Sequence, residues 1–145
     1  EKLIPKTIIL AKQNKKIPIY GKGTNIRDWI YVDDHCDGVL TAFLKGKSGE
    51  SYNFSGNNEI NNLVIVKKIL ELMNKSEDLI EFVEDRPGHD FRYSMSSEKV
   101  SKELGWKLKV GFEKGIRDTI KWYLDHEDYW KDFPSSIFNP TPWKN

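Results

Sequence analysis

The chain has 145 residues, and its 23 lysines and arginines against 22 aspartates and glutamates leave a formal net charge of +1. That length suits one ordinary domain with a real core, and the balanced charge disfavours the polybasic surface of sequence-independent nucleic-acid binding. The single cysteine, Cys36, excludes an internal disulfide and a cysteine metal cluster. Since there is no apolar run of roughly 20 residues and no leader-like start, we expect a soluble, cytoplasmic protein without a membrane span.

The first elements of the chain predict a helix followed by two strands. Pro5 suits the first turn of a helix that continues to Gln13. Ile17–Tyr20 and residues 26–32 have β-rich composition, and the glycine-containing loop between them predicts a hairpin or strand pair. This loop lacks the full spacing of either glycine fingerprint for phosphate, so we do not predict a P-loop or a dinucleotide site here.

The most regular amphipathic pattern follows, in a helix that Asp33 or Asp34 can cap. Its apolar residues have the spacing i, i+3, i+4, i+7, i+8, and they are Cys36, Val39, Leu40, Phe43 and Leu44. We expect this stripe to pack in the core. A short strand over residues 50–56 is predicted next, with glycine at its exit.

The second half of the chain predicts three more helices and one more strand. The helices run from Asn61 or Asn62 to Met73, over residues 98–104 with Gly105 beyond the end, and from about Phe112 to Asp125. The strand covers residues 79–83. Mixed elements without strict β-α alternation predict an α/β to α+β fold.

We place a domain at residues 1–126 and an aromatic, proline-rich tail at residues 127–145. We interpret the tryptophans of the tail as packing anchors, and we expect the tail to form an irregular strap or to reach toward a neighbouring chain.

The segment after the last strand concentrates charge around a Pro-Gly turn. Pro87 fixes φ and Gly88 accepts positive φ, as a type II turn requires, so Arg86 and His89 flank the turn. A guanidinium fork and an imidazole N–H are both donors for phosphate oxygens. We therefore predict a small anion site for a diphosphate. The alternative is a surface turn in which Arg86 pairs with Asp85 or Asp90 and His89 is solvated.

The order and spacing of several motifs resemble the C-terminal part of the dTDP-glucose 4,6-dehydratase family of extended short-chain dehydrogenases/reductases. The motifs are Lys2-Leu3-Ile4-Pro5, Pro18-Ile19-Tyr20-Gly21-Lys22-Gly23, Arg27-Asp28-Trp29-Ile30-Tyr31-Val32-Asp33-Asp34-His35, Tyr52-Asn53, Asp85-Arg86-Pro87-Gly88-His89-Asp90, Arg92-Tyr93 and Glu103-Leu104-Gly105-Trp106. The Arg-Asp-Trp segment indicates only the superfamily, whereas the Asp-Arg-Pro-Gly-His run is narrower. The match reaches about Leu124.

The resemblance implies a set of substrate contacts. They are Lys2, Leu3, Ile4, Pro5, Lys6, Thr7, Pro18, Ile19, Tyr20, Arg27, Asn53, Asp85, Arg86, Pro87, Gly88 and His89. Arg27, Arg86 and His89 suit the phosphates, and Tyr20 suits the base or sugar. Lys6 stands where we expect an apolar residue in the family, so the contacts inferred for Lys6 and Thr7 are the least secure ones that the resemblance implies. For Arg27, the alternative is an ion pair with Asp28 or Asp33.

The same resemblance implies parts that this sequence lacks. The family needs a glycine-rich turn for NAD and a Tyr-x-x-x-Lys pair, and no tyrosine here has lysine four residues later. We therefore expect a substrate-binding C-terminal portion, with no catalytic residue, NAD or metal of its own, that is inactive without a Rossmann half preceding Glu1. The complete enzyme is expected to bind NAD and a dTDP-sugar and to be a homodimer.

Other interpretations remain open at this point. The chain is alternatively part of another nucleotide-sugar epimerase or decarboxylase of the same superfamily. It is also compatible with a non-catalytic module that binds a nucleotide diphosphate or a protein partner. Uridine instead of thymidine as the base fits the same residues.

Overall fold

The computed structural model describes residues 2–144, which form a mixed α/β structure and confirm the predicted fold class. The helices are α1 (Leu3–Lys12), α2 (Val32–Lys45), α3 (Asn62–Leu72), α4 (Glu98–Leu104) and α5 (Phe112–Asp125). The strands are β1 (Ile17–Tyr20), β2 (Ile26–Asp28), β3 (Glu59–Asn61), β4 (Ile80–Val83) and β5 (Arg92–Tyr93).

The described chain divides into two compact units, each made from separate segments. The first unit contains the residues up to 25, residues 61–91 and the residues from 117 onward. The second unit contains residues 26–60 and 92–116. The tail therefore belongs to the first unit by its contacts, whereas the boundary after residue 126 stays a prediction.

In the first unit, β1 and β4 form a parallel pair, and α1 packs beside α3. Ile17 pairs with Ile80 and Tyr20 with Val83. The core beneath this pair consists of buried aliphatic side chains from α1, β1 and α3, and they are Leu10, Ala11, Ile17, Ile19, Val66 and Leu70. Burial of these side chains is the main favourable term that holds the two helices to the strands.

The second unit contains a three-stranded sheet in the order β3-β2-β5, in which β2 and β5 are parallel. Its core combines Val100, Leu104 and Trp106 with half-buried side chains that include Phe54 and Ala42. The ring of Phe54 meets Trp106 edge to face, with centroids 5.3 Å apart. Aromatic packing therefore joins the irregular segment that carries Phe54 to the segment that follows α4.

A buried carboxylate at Asp34 connects α2 to the segment after α4. Asp34 is 1% exposed, and its two carboxylate oxygens accept hydrogen bonds from the backbone N–H groups of Lys109 (3.1 Å) and Val110 (2.9 Å). Its backbone oxygen accepts from Trp106 Nε1 at 3.3 Å. The N-cap residue of α2 is Tyr31, so the predicted capping role of Asp33 or Asp34 is wrong. A side chain that satisfies distant backbone donors has no local sequence signal.

The observed helices and strands confirm most of the elements predicted from the sequence, but two strand predictions are wrong. The five predicted helices and the strands at Ile17–Tyr20 and Ile80–Val83 are present. The hairpin is absent because β1 pairs with the distant β4. Residues 50–56 form no strand. The carboxylate of Asp28 accepts hydrogen bonds from the N–H groups of Gly56 (3.0 Å) and Asn58 (2.9 Å). A side chain therefore holds this segment in place of the backbone hydrogen bonds of a β-sheet.

The apolar stripe of α2 is exposed, so its predicted place in the core is wrong. Exposure is 83% for Phe43 and 66% for Leu44, and Val39 and Leu40 are also exposed. The helix instead packs through small residues: a Cβ on Gly38 would lie only 2.5 Å from the ring of Phe54. The side of α2 that carries Gly38 approaches Phe54 closely and faces the core of the second unit. The large apolar residues lie on the other side of the helix, away from that core.

Replacement of Asp34 by Asn is expected to destabilise the second unit. One of the two backbone N–H groups would face an amide NH₂ instead of an acceptor, which costs about 1–3 kcal/mol. Denaturant unfolding measures this loss, and Asp33→Asn is the matched control because Asp33 is exposed in the same turn. Equal stability of the two variants would contradict the structural role of Asp34.

The ion pair between Glu59 of β3 and Arg92 of β5 is expected to make stability pH-dependent. Arg92 donates to the two Glu59 oxygens at 3.0 and 2.6 Å. These hydrogen bonds, with one from Ser94, lower the pKa of Glu59. A depressed folded-state pKa stabilises the fold above the unfolded pKa, about 4.3, and the contribution is lost as pH falls through the folded pKa.

The stability difference between the wild type and Glu59→Gln should therefore be present at pH 7 and shrink below about pH 4. Because both partners are exposed, added salt should also reduce it. Unfolding curves at both pH values check this. A difference that is independent of pH would contradict the ion pair as its source.

Candidate functional site

The carboxyl ends of β1 and β4 bring two predicted site segments together in the first unit. Tyr20 pairs with Val83 at the last position of both strands, and the N–H of Gly21 donates to the Val83 carbonyl at 2.9 Å. Gly21 has φ +56°, and a Cβ there would lie 3.1 Å from an oxygen of Asp85. Ligands of parallel sheets bind beyond such carboxyl ends. Tyr20 and the turn at 85–89 therefore share one edge.

The turn has the backbone conformation that its sequence predicts, since Gly88 has φ +65°. Oδ1 of Asp85 accepts the backbone N–H of Arg86 at 2.9 Å and lies 2.6 Å from Nδ1 of His89. The side chain of His89 is only 7% exposed, and its ring meets Tyr20 edge on, with centroids 6.1 Å apart. The alternative of a solvated His89 is therefore wrong.

The guanidinium of Arg86 makes no ion pair with any of the residues 2–144 that the structure describes. Asp85 is engaged by His89 instead. Arg86 is exposed, so its donors face solvent beside a histidine that is fixed by a carboxylate. Chemically, this arrangement presents a full positive charge and a fork of donors, which matches two oxygens of a phosphate.

The other predicted contacts of the first unit lie deeper. Pro18 and Ile19 are buried in β1, so a ligand can reach them only through their backbone. Lys6 and Thr7 are buried on α1, and Nζ of Lys6 donates to the carbonyl of Asn139 at 2.9 Å. Lys2 is exposed at the start of α1, and Leu3 packs against the core. Ile4 and Pro5 are half-buried in its first turn.

Two predicted contacts belong to the second unit. Arg27, on β2, lies with its guanidinium carbon 4.5 Å from the ring centroid of Tyr93 and donates to the Ile26 carbonyl at 2.6 Å. The carboxylate of Asp28 accepts backbone N–H groups of Gly56 and Asn58, and the alternative pairing of Arg27 with Asp28 or Asp33 stays a prediction. Asn53 is exposed in an irregular segment and does not end a strand.

Sequence reasoning did not predict a role for the end of the tail in this region. Trp143 contacts Tyr20, with ring centroids 4.9 Å apart and planes at 83°. Lys144 forms an ion pair with Glu84, next to the turn. The aromatic composition of residues 127–145 was the available signal, but composition alone cannot tell which strand a tail returns to.

Within residues 2–144, no three His, Cys, Asp or Glu side chains are grouped as metal ligands would be. In the same part of the chain, none of the helices combines the length and apolar character needed to span a bilayer.

Known proteins resemble this chain in sequence and structure. Residues 1–119 match the family model described as GDP-mannose 4,6 dehydratase. The chain is 45% identical over 145 residues to dTDP-glucose 4,6-dehydratase 1 of Escherichia coli (strain K12), covering 95% of this chain and 40% of that protein. It is also similar to a dTDP-glucose 4,6-dehydratase from Bacillus anthracis solved with NAD, with a TM-score of 0.85, 44% identity and coverage of 90% of this chain and 41% of that one.

A second solved structure is the dTDP-glucose 4,6-dehydratase of Streptomyces venezuelae, with NAD and dTDP bound. Its TM-score is 0.87 and its identity 34%, over 90% of this chain and 40% of that one. The chain therefore spans about two fifths of the length of the relatives it matches.

Proposed function

Since this chain belongs to the GDP-mannose 4,6 dehydratase family, we propose that it is the substrate-binding portion of an NAD-dependent dTDP-glucose 4,6-dehydratase. The observation that carries the proposal is the turn at the carboxyl end of β4, where Arg86 is not ion-paired within the described chain and His89 is held by Asp85. The reaction converts dTDP-glucose to dTDP-4-keto-6-deoxyglucose and water.

The proposed role of the turn is to bind the diphosphate. The guanidinium of Arg86 donates to phosphate oxygens, and the carboxylate of Asp85 keeps the ring of His89 in one orientation beside them. Tyr20 at the same edge offers a ring face and a hydroxyl to the nucleoside. These contacts lie far from the reacting carbons of the sugar, so they contribute orientation and remote binding energy to the reaction.

Arg27 and Asn53 are proposed as further substrate contacts, as are the backbone atoms of Pro18 and Ile19. Residues 2–7 are included as well, although burial of Lys6 and Thr7 restricts what a ligand can reach there. Each of these assignments rests on the match to the family motifs.

The cofactor chemistry is proposed to lie in a part of the enzyme that precedes Glu1. In the complete enzyme, NAD would accept and return the hydride. Residues 1–145 have neither a glycine fingerprint for NAD nor a Tyr-x-x-x-Lys pair, so we assign none of them to that step. We further propose that the complete enzyme is a cytoplasmic homodimer.

The exposed face of α2 supports a larger enzyme. Contiguous exposed apolar surface on a protein marks an interaction site. The side chains of Phe43 and Leu44 form such a surface on α2, since both are largely exposed. The relatives contain more than twice the length of this chain. We propose that the cofactor-binding half covers this face.

Titration with dTDP tests the proposed binding role. In the complete protein, Arg86→Ala should raise the dissociation constant for dTDP about ten- to hundredfold, because a hydrogen bond to a charged group contributes about 1.5–3 kcal/mol. Isothermal titration calorimetry measures this, with UDP as the comparison for the base. Arg117→Ala, an exposed arginine on α5, is the matched control.

An unchanged affinity in Arg86→Ala would remove this residue from the site. No binding of dTDP by the folded wild type would reject the proposed function. Analysis of the product from dTDP-glucose separates a dehydratase from epimerases and decarboxylases of the same superfamily, since only dehydration yields a 4-keto-6-deoxy sugar.

If the cofactor-binding half covers the apolar face of α2 in the complete enzyme, that face is uncovered in the 145-residue chain expressed by itself. With the apolar face uncovered it should self-associate, and Phe43→Lys should increase the monomer fraction in sedimentation velocity. Val64→Lys is the control because Val64 is an exposed apolar residue on α3 in the first unit. A monomeric wild-type chain, or an equal effect of both variants, would contradict a role for this face.

A further inference from the structure

The tail returns to the proposed substrate edge and is fixed there by three separate contacts. Phe138 packs against the core of the first unit. The carbonyl of Asn139 accepts a hydrogen bond from the buried Lys6, and Lys144 forms an ion pair with Glu84. Residues 138–144 are thus held on both sides of Trp143. This stretch lies beyond residue 119, where the match to the family model ends.

The indole of Trp143 is placed against Tyr20, the residue assigned to the nucleoside. The two rings stand at 83° to each other, with centroids 4.9 Å apart, and both side chains are partly exposed. His89 meets Tyr20 in a second edge contact at 6.1 Å. Perpendicular rings form a corner in which a planar base can stack on one ring while its edge meets the other.

A comparison with Trp130 shows that Trp143 is not an ordinary packing anchor. Trp130 is 5% exposed, and its Nε1–H donates to the Tyr123 carbonyl at 2.8 Å, as expected of a structural tryptophan. Nε1 of Trp143 is shielded from solvent but has no hydrogen-bond partner among the described residues. A buried donor without an acceptor is unfavourable, so an acceptor that arrived with a ligand would be favoured there.

We propose that Trp143 forms, together with Tyr20, the aromatic wall of the nucleobase site, and that its indole N–H donates to an exocyclic carbonyl of a pyrimidine. The tail then belongs to the substrate site and determines part of its base specificity. Because Nε1 is shielded from solvent, entry of the base requires a shift of this side chain. This inference rests on the proposed function, since it needs the turn at 85–89 to bind the diphosphate.

The test compares dTDP with inorganic pyrophosphate, which has the phosphates but no base, in calorimetric titrations of the complete protein. Trp143→Ala should weaken dTDP binding about 5- to 100-fold, the range for loss of one base–aromatic stack, and leave pyrophosphate binding unchanged. Trp143→Phe keeps a ring but removes the N–H, so its loss should be smaller and it should discriminate less between dTDP and ADP. Trp122→Ala, at an exposed tryptophan in the same unit, should alter neither affinity.

Each other outcome overturns the inference. Tighter dTDP binding by Trp143→Ala would show that the indole blocks the site, and unchanged binding would show that it lies outside. A parallel loss for pyrophosphate would indicate a general role in folding. A wild type that binds no dTDP rejects the proposed function itself, whereas a wild type that binds it with Trp143→Ala unaffected rejects only the role of Trp143.

Discussion

The parallel pairing of β1 with β4 is the constraint on which the candidate site depends. These strands are about sixty residues apart in sequence, and their register from Ile17 with Ile80 to Tyr20 with Val83 places both carboxyl ends at one edge. The backbone bond from Gly21 to Val83 extends the pair by one step. Without this pairing, Tyr20 and the turn that contains Arg86 would have no fixed relation.

Hydrogen bonds from side chains to the backbone or to other side chains fix the segments that lie outside the strands. Asp85 accepts from the backbone of Arg86 and holds His89 through its carboxylate, beside the exposed guanidinium. A ring that is already held in one orientation, as that of His89 is, loses little conformational entropy when it contacts a ligand. In the second unit, Asp34 has a comparable structural role, because it satisfies two backbone N–H groups of a distant segment.

The second unit exposes large apolar side chains on α2. Helix α2 packs through Gly38 and its neighbours, and its large apolar residues point away from that unit's core. In the first unit, α1 and α3 bury Leu10, Ala11, Val66 and Leu70 against β1. The proposed cover on α2 accounts for this exposure and agrees with the greater length of the relatives.

The sequence by itself determined the helices, the strands at Ile17–Tyr20 and Ile80–Val83, and the left-handed glycine of the turn, because periodicity, composition and Pro-Gly chemistry act over a few residues. Its motifs were also sufficient to indicate the family. Only the tertiary structure decided that β1 pairs with β4, that the stripe of α2 is exposed, and that Trp143 returns to Tyr20. These depend on contacts between residues far apart in the chain, for which a single sequence carries no local signal.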